Sequence, residues 1–216
     1  MQSILEIIRP IRLLYGSHSD TATTGQGCAM NVIAYLNGEQ VITDQSPCVC
    51  STVRELIIWL NDYLIDGDER QELLPYLLRA MGSATEDKAV IEERLHHLVI
   101  FANGAAENGR VAAAAAADDK DMSDSKRWWA TKYAINLAIA KLDTGDVLII
   151  NSVIKILTSV TVIAATVDCG CNKIKTHTKI KDAAFAFLDA ALPKAAPETP
   201  IIFARAQALV TLLQPH

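Results

Sequence analysis

A surplus of positive charge is the first thing this chain lacks. Its formal net charge is −5 and its pI about 5.5, which argues against a broad electrostatic grip on a nucleic-acid polymer. Aromatic residues are scarce, at 6%. The apolar half of the composition rests on Ala, Leu, Ile and Val, which suits closely packed helices rather than disorder. No uncharged apolar stretch of bilayer length occurs. The nearest is VLIINSVIKILTSVTVIAATV (147–167), with Lys155 at its centre and Asn151, Ser152, Thr158, Ser159 and Thr161 along it. A central lysine is costly in lipid, so the expectation is a buried core helix and no membrane span. The first residues, MQSILEIIRPIRLLYG, are apolar but interrupted by Glu6 and Arg9, with no cleavage site after them. They read as a short amphipathic helix stopped near Pro10, not as an export signal. Five cysteines, an odd number, argue against a disulfide framework. A reducing, cytoplasmic compartment is the expectation.

Most of what is present is helical in pattern. CAMNVIAYL (28–36) is a short helix followed by the turn dipeptide Asn37-Gly38. Val53, Leu56, Ile57, Leu60 and Leu64 mark one face of a helix starting near Ser51. Ser51 or Thr52 is its expected cap, with Glu55 placed as the acid of a capping box. Residues 66–82 read as a helix with Pro75 as a kink, and 83–104 as another, capped by Ser83 or Thr85. Six consecutive alanines at 112–117 form a helix that tolerates close neighbours, and the acids at 118–124 end it. Residues 125–142 make a further helix. DCGCNKIKTHTKIK (168–181) reads as a polar, cysteine-bearing stretch. The helices DAAFAFLDAAL and PIIFARAQALVTLL then follow, separated by a proline-rich link. The fold class is mainly α, a multi-helix bundle of about eight helices with few or no strands. It divides into an N-terminal lobe (1–103), an Ala-rich and acidic connection (104–124) and a C-terminal lobe (125–216), or forms one single domain.

Four groupings can carry chemistry. His18, Cys28, Cys48 and Cys50 make a Cys3His set suited to structural zinc. The spacing opposes this, because Cys-X-Cys in an extended chain points its sulfurs apart. The plainer reading is that these cysteines are packing residues, with Cys48 and Cys50 anchoring the turn into a helix. Cys169, Cys171 and His177 form an incomplete second set. Cys48 and Arg54 match the Cys-X5-Arg spacing of cysteine phosphatases, but the usual glycines are missing and Glu55 would repel phosphate. Lys126, Arg127, Trp128, Trp129 and Lys132 fall in the first two turns of the 125–142 helix. A helix N-terminus attracts anions, tryptophan stacks on a base, and Arg or Lys pairs with phosphate. The same tryptophans equally suit a core or an oligomer contact. Lastly, Glu92/His96 and Glu93/His97 are i,i+4 pairs that read as a solvated, salt-linked face.

Residues 16–82 carry Gly16-Ser17-His18, Gly27-Cys28-Ala29-Met30, Ala34-Tyr35, Gly38-Glu39, Thr43-Asp44, Pro47-Cys48-Val49-Cys50 and Asn61-Asp62 in that order. This order resembles a family of small uncharacterised proteins met in bacteriophage and actinobacterial genomes. The resemblance spans about a third of the chain. It implies a phage accessory protein and transfers no activity. The sequence therefore leads to a soluble helical binding protein that holds or sequesters a small anionic, nucleotide-like ligand or a partner protein, with a homo-oligomer expected. No catalytic residue is assigned. The alternatives are a zinc- or cysteine-dependent enzyme and a purely structural assembly subunit.

Overall fold

A computed structural model describes residues 3–17, 20–64, 66–98, 100–101, 104, 170–197 and 199–213. The fold is mainly α, with helices close in number to the eight expected. Extended pairing among the described residues is one isolated bridge, Leu13 with Gly27. No described helix is long and apolar enough to cross a membrane. The 112–117, 125–142 and 147–167 segments lie outside the described residues.

Residues 1–86 and 192–216 form one compact unit, and 87–191 a second. The expected 104–124 connection falls, beyond Gly104, outside the described residues. In the first unit, α1 (Ile4–Ile8) opens with a full capping box. Glu6 N–H donates to Ser3 Oγ at 3.2 Å, and Ser3 N–H donates to Glu6 Oε2 at 2.9 Å. It ends before Pro10, as expected, and buries Ile4, Ile7 and Ile8 at i, i+3, i+4 spacing. A one-turn α2 (Thr21–Thr24) closes on Gly25. The central α3 (Ala29–Asn37) closes on Gly38, whose φ of 89° supplies the left-handed cap that a glycine takes most easily. Nearly all of α3 is buried.

The helix α4 (Ser51–Tyr63) carries the expected face, with Val53, Leu56, Ile57 and Leu60 fully buried. Its expected cap does not form. The N-cap is Cys50, which makes no side-chain capping bond; Thr52 is buried, and Glu55 pairs with Arg54 instead. The segment at 83–84 supports this entry from outside. Cys50 N–H donates to Ser83 Oγ at 3.1 Å, and Ala84 N–H donates to the Cys48 carbonyl at 3.1 Å. The expected kinked helix over 66–82 is two helices, α5 (Gly67–Gln71) and α6 (Leu74–Ala80). Proline has no N–H and its ring clashes with the preceding turn. The chain therefore restarts with Pro75 in the first turn of α6, where the missing donor costs nothing.

In the second unit, α7 (88–98) is capped by Asp87, whose Oδ1 accepts from Ala89 N–H at 3.0 Å, rather than by Ser83 or Thr85. Its Glu93–His97 pair is 3.9 Å apart, with Glu92, Glu93 and His96 exposed. The helix α8 (Gly170–Ala191) runs through most of the polar, cysteine-bearing stretch at 168–181 and on through the DAAFAFLDAAL helix. Ile180, Ala184, Phe187 and Leu188 give it one buried face at helical spacing. Arg94 Nε reaches the Ala191 carbonyl at 3.0 Å, and Phe101 meets Phe187 with ring centroids 6.4 Å apart.

The chain then re-enters the first unit. Arg79 Nε donates to the Pro193 carbonyl at 2.8 Å. α9 (Pro200–Thr211), capped by Thr199, packs on α1 and α3. Arg205 Nη1 donates to the Tyr35 carbonyl at 2.9 Å, and its guanidinium lies 5.3 Å from the Tyr35 ring centroid. At Gly25, with φ +71°, an added Cβ would sit 2.9 Å from the Leu209 carbonyl oxygen. Gly25→Ala is therefore expected to destabilise the first unit by more than about 1 kcal/mol. The check is a lower urea midpoint at unchanged m-value.

Candidate functional site

Four segments meet where the polar residues of the first unit concentrate: the loop at 14–17, the start of α3, the 43–46 loop and the last turn of α4. Asn61, 2% exposed, ties three of them. Its Oδ1 accepts from Ala29 N–H at 3.1 Å, at the first turn of α3. Its Nδ2 donates to the Leu14 carbonyl at 3.0 Å and to Asp62 Oδ1 at 3.2 Å. Asp62 Oδ1 also accepts from Gly16 N–H at 3.1 Å. Asp44 is the second hub. Its Oδ1 accepts from Ser17 Oγ at 2.9 Å and Asn31 Nδ2 at 3.1 Å, and lies 3.5 Å from Cys28 Sγ. Behind them the buried Arg70 donates from Nε to the Asn61 carbonyl at 2.8 Å and from Nη1 to the Leu13 carbonyl at 3.3 Å. Among the described residues, no buried side-chain nitrogen or oxygen lacks a partner. A network satisfied in this way fixes loop positions, because a half-satisfied one would cost more than an apolar core.

This network borders an open recess of about 60 Å³, lined by Gly16, Ser17, Cys28, Asp44, Asn61 and Asp62 among others. That volume suits a few waters. A bound nucleotide needs a cleft of roughly 300 Å³ or more, and two carboxylates at the rim oppose an anion.

The three cysteines of the expected zinc set do not gather. Cys28 is buried and donates to Asn31 Oδ1 at 3.1 Å. Cys48 is half-buried and shares a 3.1 Å hydrogen bond with Ser46 Oγ, which itself donates to Glu39 Oε1. Cys50 is half-buried at the α4 N-cap. No group of three or more His, Cys, Asp or Glu side chains among the described residues could hold a metal ion. His18 lies outside the described residues, as do Cys169 and the side chains of Cys171 and His177. Lys126, Arg127, Trp128, Trp129 and Lys132 also lie outside them.

Cys28 and Cys48 are both shifted towards the protonated form. Burial pushes Cys28 up to about 12, with the Asp44 charge adding to it against backbone hydrogen bonds at Asn31 and Met30. Burial also raises Cys48, with Glu39 contributing against the lowering effect of Ser46. A cysteine phosphatase needs the reverse, a thiolate stabilised by an arginine free to hold phosphate. Here Arg54 Nε lies 3.4 Å from Glu55 Oε1.

The shift has a stability consequence. The unfolded Cys28 thiol loses its proton near its ordinary value of 9.0, and the folded one keeps it to about 12. Between those values the folded state binds more protons. Its stabilisation is therefore complete below about pH 9 and declines as pH rises through the window. Burial of Tyr63, with Glu69 adding, acts in the same direction. Urea titrations from pH 8 to 11 are expected to show falling stability, less steep in Cys28→Ser. Native-state alkylation of Cys28 at pH 8 should run about a thousandfold slower than that of a free thiol.

Sequence reasoning missed Asn31 and Arg70 as site-building residues and met Asp44, Asn61 and Asp62 without assigning them to a site. The available signal was polarity at core positions: Asn31 stands between Met30 and Val32, and Asn61 follows Leu60 on the buried side of α4. No protein-family model, curated protein or solved structure matches the chain.

Proposed function

We propose that the protein is a cytoplasmic binding protein of the phage-accessory kind, without chemistry of its own. It holds a small anionic, nucleotide-like ligand or a partner protein. The observation that carries this reading is the state of the thiols. Cys28 and Cys48 have raised pKa values, and their hydrogen-bond partners are Asn31, Asp44 and Ser46 rather than a base that would activate them. The carboxylate-rimmed recess is the wrong size and sign for a nucleotide. We therefore assign the anionic ligand to Lys126, Arg127, Trp128, Trp129 and Lys132, within the 87–191 unit. The partner reading draws on the first unit, where Tyr15, Val41 and Ile201 are 64%, 71% and 64% exposed. Gathered into one contiguous patch, such side chains would be covered by a docking protein or a second copy of this chain.

The test is thermal unfolding and tryptophan fluorescence with ATP, ADP and GTP at millimolar concentration. Ligand at a hundredfold above its Kd stabilises by about 2.7 kcal/mol, a rise of roughly 5–10 °C for a chain of this size. Lys126→Ala/Arg127→Ala should abolish the shift while leaving the unliganded Tm in place. No shift with any nucleotide, together with rapid selective alkylation of Cys48, would return the protein to the cysteine-enzyme class. Concentration-dependent mass with neither signal would assign it to assembly.

A further inference from the structure

We draw no further inference here: the strongest candidate, the small recess between Asp44 and Asp62 where the 14–17 and 43–46 loops meet the ends of α3 and α4, carries nothing, because it belongs to the site already described and nothing in the structure shows what occupies it.

Discussion

Replacing Asn61 by leucine is expected to lower the stability of the first unit by about 3 kcal/mol. Leucine keeps the branching of asparagine but is larger, so overpacking adds to the lost hydrogen bonds. Leucine leaves the Ala29 N–H and the Leu14 carbonyl inside the protein without their partner at Asn61. Each buried polar group stranded in this way costs about 1–3 kcal/mol. Ala29 N–H is also one of the orphan donors at the start of α3, whose N-cap Cys28 makes no side-chain capping bond. The substitution therefore uncaps the central helix as well as freeing the 14–17 loop. Urea unfolding reads the loss directly. A change below 1 kcal/mol would mean that water replaces Asn61 without penalty, and that the network is peripheral to the fold.

Truncation after Pro197 has a larger expected effect. It removes α9, and with it Ile202, Ala206 and Leu209, all buried within the first unit. At about 1.5–3 kcal/mol for each large apolar side chain, and less for alanine, the loss is on the order of 4–6 kcal/mol. Domains of this size are stable by only about 5–15 kcal/mol in total. The Arg205 contact to the Tyr35 carbonyl goes too. The truncated chain should lose cooperative unfolding and most of the near-UV dichroism from the stacked Trp59–Tyr63 pair, whose centroids are 4.9 Å apart. Ala206→Asp places a charge at a fully buried position and should reproduce the defect in a full-length chain. A truncated chain with native dichroism and a sharp transition would show that the first unit is complete without its C-terminal helix.

Periodicity made the helices of this fold legible and left their ends obscure. The faces of α1 and α4 follow from apolar spacing alone, since burying one side of a helix requires residues at i, i+3 and i+4. The turn at Asn37-Gly38 follows from the freedom of glycine at positive φ. Caps are not legible locally, because Ser51, Thr52, Ser83 and Thr85 are chemically equivalent candidates. Tertiary contact decides among them: Ser83 turns to Cys50 N–H, and Asp87 takes its place as cap. The helix Gly170–Ala191 begins well before DAAFAFLDAAL, because charged residues in its first half mask a stripe that includes Ile180. Pro75 suits a kink and a first turn equally by its chemistry, and the structure takes the first turn. The polar network was the least legible feature. Its members lie on segments up to about 57 residues apart in the chain, as Arg70 and Leu13 do, and no local pattern links them. The return of α9 onto α1 and α3 is invisible locally for the same reason.

Native mass spectrometry of the protein as purified, before and after a strong chelator and then with added ATP, tests the central claim most directly. Binding without thiol or metal chemistry predicts a mass unchanged by the chelator and one nucleotide added per chain, absent in Lys126→Ala/Arg127→Ala. A zinc-sized increment lost on chelation, with no nucleotide bound, would contradict it.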